Sequence, residues 1–408
     1  MSRNLGIIAE YNPFHNGHLT HLIQSKKLCD SGYTVCIMSG NFTQRGVPAV
    51  IDKWERTKMA LNNGVDMVIE LPVIYSIASA ENFAYGSIRI LDSLKIIDFV
   101  SFGSECGKLD ILEELVNVLY NEPKAYVTLL KHELSKGLSY PKARENAVLL
   151  YLNNIRRYAN ILSNPNNILG IEYLKALKKL KSSIAPVTVK RIYTEHNSTN
   201  TYDNYASSTA IRELINRKKD FSKYLPTESY SILENCIKHG KTISSLASFE
   251  KEIIYTLRRM TSFEISNLPD VSEGLENKIK VAANECNTVK ELINIIKSKR
   301  YTETRIQRII LCSLLGITKQ HINELYKINP YVRILGMNAK GKELLSLIKY
   351  ENPKLPIITS VKDFIDTNKN KLLYDMLIFD ILASNIYTIG FESEPYANLD
   401  FTQKLIIM

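Results

Sequence analysis

Over its first hundred residues the chain alternates short apolar runs with stretches of helical period. Leu5 to Ala9, Val35 to Met38, Met67 to Leu71 and Phe99 to Phe102 are rich in β-branched or aromatic side chains and have the length of buried strands. Helical patterns at His18 to Lys27, Lys53 to Asn62 and Asn82 to Leu94 fall between or beside them. Strands separated by helices of this length predict a parallel sheet with helical crossovers. Val187 to Ile192 reads as one more strand, and Ser208 to Asn216 as the helix that follows. Beyond about residue 220 the texture changes. Periodic apolar positions dominate Leu246 to Met260, Val289 to Ile296, Thr304 to Leu315 and Val361 to Phe379. The pattern predicts an α/β fold: a sheet-containing domain over 1–220, followed by a mainly α-helical region over 221–408.

Length and composition agree with two globular domains: 408 residues, 45% hydrophobic and 23% charged. Met1 to Glu10 lacks the pattern of a cleaved signal, and no apolar stretch approaches the roughly 18 residues of a membrane span. The expectation is a cytoplasmic protein without a membrane partner. Cys29, Cys36, Cys106, Cys236, Cys286 and Cys312 are scattered without zinc spacing, so they read as reduced thiols and no metal site is expected. Lysine and arginine outnumber the acids 52 to 42, and the net charge of +10 favours a polyanionic partner such as nucleic acid. Nothing in the sequence speaks to oligomeric state.

The most informative segment is Glu10-Tyr-Asn-Pro-Phe-His-Asn-Gly-His18, which joins the first strand to the first helix. Pro13 fixes a turn, Gly17 removes a side chain where backbone must approach a ligand, and His15 and His18 flank the helix start. Free backbone N–H groups at a helix N-terminus favour phosphate, and imidazoles there can donate to phosphate oxygens as charge builds at the α-phosphorus. His21 lies one turn on, but no third ligand completes a metal site. A polar loop, Thr194 to Tyr205, leads to a second helix start, Ala206-Ser-Ser-Thr-Ala-Ile-Arg212. There Ser207 or Ser208 can cap, Ser208 and Thr209 can hold the departing phosphates, and Arg212 supplies a fixed positive fork. Two anion sites on separate strand-to-helix junctions of one sheet point to nucleotidyl transfer, with His15, His18 and Arg212 as the catalytic groups. Further along, Lys297 to Arg308 concentrates five cations against one acid. Arg305 and Arg308 share a helix face there, Lys299 and Arg300 precede them, and Tyr301 could stack on a base.

These residues resemble a known group. LGIIAEYNPFHNGH is similar to the opening of the bacterial tRNA(Met) cytidine acetate ligase family, and SSTAIR resembles the second signature of HxGH nucleotidyltransferases. Ser39 to Gly46, Phe102 to Glu105, Pro165 to Tyr173 and Arg333 to Asn338 are similar to that family too, so the resemblance spans nearly the whole chain. It implies a Rossmann-like nucleotidyltransferase domain joined to helical structure. The implied reaction makes acetyl-adenylate from ATP and acetate, then acetylates N4 of the wobble cytidine of elongator tRNA(Met). It implies an ATP loop over Ile7, Ile8, Ala9, Glu10, Tyr11, Asn12, Pro13, Phe14, His15, Asn16, Gly17, His18, Leu19 and Thr20. Gly103, Asn167 and Arg191 or its neighbour Ile192 are the implied further nucleotide contacts. ATP is then a substrate accompanied by Mg2+, with no tightly bound cofactor, and Lys299, Arg300, Arg305 and Arg308 are candidate tRNA contacts.

Two other readings compete. A metabolic nucleotidyltransferase acting on a small phosphorylated acceptor needs only one compact domain, and the large basic helical half argues against it. A non-catalytic RNA-binding protein would not need His15, Gly17, His18, Thr209 and Arg212 together.

Overall fold

The computed structural model describes residues 3–191 and 201–408. Its strands are β1 (Arg3–Ala9), β2 (Ser31–Ser39), β3 (Met67–Leu71), β4 (Phe99–Ser104), β5 (Ala185–Lys190), β6 (Thr201–Tyr202), β7 (Tyr205–Ala206), β8 (Val332–Met337), β9 (Ile357–Ile358) and β10 (Ile406–Ile407). The main sheet runs β10-β8-β3-β2-β1-β4-β5, with β9 beside β8, and β6 and β7 form a separate hairpin. From β3 to β5 neighbouring strands are parallel. The order reverses at β1, which continues to β2 on one side and β4 on the other. A crevice opens outside the carboxyl ends of strands at such a switch point. The central strands are buried on both faces because helices cover them, which is why Val35 to Met38 and Met67 to Leu71 are continuous apolar runs broken only by Glu70.

The expected strands and helices of the first half are present. Helices Lys53–Asn62 and Ser208–Asn216 have the anticipated limits, and the first begins two residues early, at Asn16, because His15 caps it. The apolar period from Val361 to Phe379 is interrupted. One helix ends at Thr367, and Asn370 caps the next by accepting from the amides of Leu372 and Leu373. That second helix, Lys371–Ile389, has the length and apolarity of a membrane span, although no apolar stretch was expected to approach one. Asp380 in its middle is buried and accepts from the Val73 amide at 2.7 Å and from the Tyr331 hydroxyl. Burial, reinforced by the charge of Glu70, pushes the pKa of Asp380 up to about 7. The helix is a core element.

Strands β8, β9 and β10 come from the otherwise helical part beyond residue 220. β8 pairs antiparallel with β3 and carries β9 and β10 on its edges. A short apolar run such as Val332 to Met337 has no period that distinguishes strand from helix, and the helical texture around it masks its pairing. Its place is fixed by charge as well as by hydrogen bonds. Arg333 on β8 reaches Glu70 on β3 at 3.0 Å and also Asp400. Lys53 reaches the same two carboxylates at 2.8 and 2.6 Å, and Trp54 lies beside both cations. Two cations and two anions, all with side chains at most 3% exposed, thus close on one another between the sheet's two contributing regions. Burial works against the Asp400 charge, but Lys53 and Arg333 hold its pKa down to about 2.

Such a cluster adds less stability than its geometry suggests, because desolvation offsets much of the attraction, yet removing one member strands the others. Lys53→Met is therefore expected to lower unfolding free energy by about 3–5 kcal/mol, read as an earlier urea midpoint. An unchanged midpoint would mean that the cluster holds nothing together.

Candidate active site

The loop after β1 is built to present its histidines in one protonation form. Tyr11 adopts a left-handed backbone (φ 46°) and the Asn12–Pro13 peptide is cis, turning the chain so that His15 caps the helix Asn16–Cys29. The Gly17 amide donates to His15 Nδ1 at 3.0 Å, and the His15 amide donates to His18 Nδ1 at 3.3 Å. A ring nitrogen that accepts carries no proton, so both rings keep theirs on Nε2 and are neutral donors. The rings stack with centroids 3.8 Å apart, and Tyr11 and Phe14 pack against His18. A Cβ at residue 17 would lie 2.9 Å from the His15 ring, so Gly17 makes room for the imidazole that it also binds.

Behind the loop, Arg56 is fully buried and spends its guanidinium on backbone. Its Nη1 donates to the carbonyls of Glu10 (2.7 Å) and Ser39 (3.0 Å), its Nη2 to Gly40, and its Nε to Ile51 (3.1 Å). Asn12 Oδ1 accepts from the Val50 amide at 2.8 Å, and Glu10 accepts from the Gln44 amide at 2.7 Å. The ends of β1 and β2 are therefore held relative to each other before any ligand arrives.

The two helix starts expected in sequence to bind anions lie on one cavity. Ser207 caps the helix Ser208–Asn216 by accepting from the Ala210 amide, and Arg212 on that helix donates to the Asn12 carbonyl at 2.7 Å and to Thr209 Oγ1 at 3.2 Å. Burial lowers the Arg212 pKa, with the charge of Glu10 opposing the shift. Around them lies a cavity of about 710 Å³, lined by Ile7 to Asn12, His15, Gly17, His18, Thr20, Gly103, Arg191, Ser208, Thr209 and Arg212 among the expected residues. Arg191 crosses Gly103, and its Nε has no hydrogen-bond partner among the described residues. Burial lowers its pKa while Glu105 pulls it back.

Other expected residues stand elsewhere. Pro13, Phe14, Asn16, Leu19 and Asn167 shape the site without lining it. Phe14 is in the core, and Asn16 ties the helix start to the carbonyls of Asn204 and Lys223. Asn167 is almost fully buried, and its Oδ1 accepts from the amides of Glu105 and Cys106, so it holds the β4 loop while Asn166 faces the cavity. Ile192 lies outside the described residues, as does most of the loop from Thr194. In the basic segment Arg305 and Arg308 do share a face, but Asp270 meets it. Arg308 pairs with the Asp270 carboxylate at 3.0 Å, and Arg305 donates to its carbonyl and to Ser272. Arg300 pairs with Glu273, while Lys299 is exposed. Tyr301 does not offer a stacking face: it is 9% exposed in the core, with Arg305 over its ring. Thr302 and Thr304 of the same segment line the cavity. Arg45 was not singled out in sequence. Its signal was a cation beside a glycine just beyond a strand end.

The whole arrangement, a paired-histidine helix start facing a capped helix with a half-buried arginine, is that of a nucleotidyl-transfer site. Residues 2–400 match the HIGH Nucleotidyl Transferase family. The chain is 46% identical over 404 residues to the tRNA(Met) cytidine acetate ligase of Thermoanaerobacter sp. (strain X514), covering 98% of this chain and 99% of that one. It belongs to the tRNA(Met) cytidine acetate ligase family. The family member from Acetivibrio thermocellus is 44% identical, with 99% of both chains covered. Among solved structures, Thermotoga maritima TmcAL in its apo form is similar with a TM-score of 0.93, at 34% identity over 100% of this chain and 99% of that one. The same protein bound with alpha-thio ATP gives 0.92.

His21, one turn beyond His18 on the cavity wall, sits 3.3 Å from Ser101 Oγ. Burial, with Arg191 nearby, lowers its pKa from 6.5 to about 4. The unfolded chain then takes up a proton there that the folded chain refuses. Stability present above pH 6.5 is lost as pH falls towards about 4. His21→Gln is expected to flatten part of that decline in urea midpoints measured across this window. An equal decline in both proteins would mean that His21 is not its source.

Proposed function

We propose that this chain is an ATP-dependent ligase that converts acetate to acetyl-adenylate and transfers the acetyl group to N4 of the wobble cytidine of elongator tRNA(Met). The reading is carried above all by the pair of neutral histidine donors at a helix start, opposite Arg212. In the first step an acetate oxygen attacks the α-phosphorus of ATP, and the bond to the β-phosphate oxygen breaks with release of pyrophosphate. His15 and His18 donate through Nε2 to the α-phosphate oxygens as charge accumulates there. Ser208, Thr209 and Arg212 hold the departing pyrophosphate, and Arg191 with Gly103 contacts the nucleotide. In the second step the cytidine amine attacks the acetyl carbonyl and AMP leaves.

Magnesium accompanies the nucleotide in this reading. Glu10 is the one carboxylate among the described residues lining the cavity, and a carboxylate together with phosphate oxygens suits that ion, which would neutralise triphosphate charge. Residues 1–220 handle ATP, and the region 221–408 presents tRNA contacts at Lys299, Arg300, Arg305 and Arg308. Because the Glu273 and Asp270 carboxylates already pair with Arg300 and Arg308, and the Asp270 carbonyl accepts from Arg305, tRNA phosphates would compete with those oxygens. The setting is the cytoplasm, where tRNA is modified.

Incubation of the protein with ATP, acetate and elongator tRNA(Met), followed by nucleoside mass spectrometry, is expected to yield N4-acetylcytidine. Its absence from a preparation that binds ATP would end the proposal. His18→Ala is expected to reduce adenylate formation about 100-fold or more while tRNA binding persists. His15→Asn separates two roles of one residue. The amide oxygen can still accept from Gly17 and keep the helix capped, so the melting temperature should hold, whereas loss of the Nε2 donor should cost a similar factor in turnover.

A further inference from the structure

The cavity's lining comes from segments on both sides of β1 in the sheet order. On the β4/β5 side lie Gly103, Lys190 and Arg191. On the β2/β3 side lie the loop Thr43 to Val47 and the start of the helix Ala80–Ser93. Nucleotide contacts account for the first side. The second has its own composition: Arg45 as a cation, with Val47, Ala80 and Phe83 as short or flat apolar walls. The other arginines and the lysine among the lining residues come from β5 and its continuation or from the helix Ser208–Asn216.

We propose that Arg45, with Val47, Ala80 and Phe83, is the acetate site. Acetate is one carboxylate and one methyl group, and it needs one fixed cation beside a small apolar wall. Arg45 and Arg212 line the same cavity, so a carboxylate held by Arg45 shares that space with the phosphates. Its oxygen forms the new bond to the α-phosphorus, the pyrophosphate oxygen takes the electrons of the bond that breaks, and no proton moves. The assignment rests on the acetate-ligase reading above and gives that reaction its second substrate site.

The loop carrying Arg45 is rigid without acetate. Thr43 and Val47 close it, with the Thr43 amide and hydroxyl both donating to the Val47 carbonyl at 2.9 Å, and the Gly46 amide donates to the Thr43 carbonyl. Gln44 ties one flank to Glu10 and the other to the Ala78 carbonyl at 3.0 Å. Gly46 has a left-handed backbone (φ 77°), and a Cβ there would lie 2.4 Å from the Arg308 amide nitrogen. Residue 46 must therefore be glycine for the loop to seat on the helix Glu303–Leu314, whose Thr302 and Thr304 complete the rim. A preorganised cation is what a weakly binding substrate of four heavy atoms requires, since so small a ligand can contribute little to ordering a loop.

Two measurements test the site separately from the overall reaction. In acetate-dependent ATP–pyrophosphate exchange, Arg45→Ala should raise the KM for acetate about tenfold or more with the KM for ATP nearly unchanged, and Arg45→Lys should recover part of the loss. An unchanged KM for acetate, or an equal rise in both constants, would overturn the assignment, the latter placing Arg45 on the triphosphate. Independently, saturation transfer to the acetate methyl protons in the presence of a non-hydrolysable ATP analogue should be seen with the native protein and vanish in Arg45→Ala. Equal transfer in both would also overturn it. Methyl saturation that needs Arg45 in a protein without exchange activity would uphold the acetate site and count against the ligase reading.

Discussion

Backbone carbonyls at the carboxyl end of a parallel sheet point the negative ends of their dipoles towards the crevice where ligands bind, an awkward place for a triphosphate. Arg56 resolves the conflict here. Its buried guanidinium gathers four such carbonyls, those of Glu10, Ser39, Gly40 and Ile51. Desolvation makes a buried arginine unfavourable unless every donor finds an acceptor, and these loop carbonyls would otherwise be unsatisfied in the interior. Each need answers the other. The consequence is functional, because the carbonyls drawn onto Arg56 belong to the loops that carry His15 and Arg45. The turn that makes His15 a helix cap is held by atoms the substrate never touches.

A second set of buried charges joins the two halves of the chain. Arg333 and Asp400 close on Lys53 and Glu70, and β8 extends the sheet beside β3. Gly46 seats on the backbone of the helix that follows the basic turn, and Thr302 lines the cavity. The helical part is thus no appendage to a complete catalytic domain. It contributes three strands to the sheet and a rim to the site, so a displacement of the helix Glu303–Leu314 would be felt at Arg45.

Much of this was legible in the sequence, and what was not has identifiable causes. The strands up to Val187, the His15–His18 junction and the capped helix at Ser208 are local: a short apolar run and the turn or cap next to it suffice. The meeting of Arg212 with the Asn12 carbonyl is not local, yet placing both strand-to-helix junctions on one parallel sheet pointed towards it. Tyr301 was placed on the surface because its side-chain type serves equally well as a stacking face and as a core ring, and only the partners decide. Arg305 and Arg308 were placed on one face correctly, but the acidic turn that meets them lies 35 and more residues away. The strand at Val332 was missed for a related reason. Its pairing partner is β3, hundreds of residues earlier, and a six-residue apolar segment carries no period of its own.

The protonation state of the histidines explains why a site so rich in arginine still uses them. In the proposed reaction Arg191 and Arg212 are full charges that would attract ATP and the reacting complex alike. Uniform attraction tightens substrate without speeding the chemical step, and it would hold pyrophosphate as firmly as it held the triphosphate. Neutral imidazole donors respond differently. In that reaction their hydrogen bonds would strengthen as negative charge moves onto the α-phosphate oxygens during attack, so their contribution would be greatest when the barrier is crossed. The backbone makes this possible. By donating to both Nδ1 atoms, the amides of Gly17 and His15 direct both protons to Nε2. The spacing of two residues between the histidines is then a requirement of the cap itself, with one ring receiving the amide that follows it and the other the amide that begins the turn.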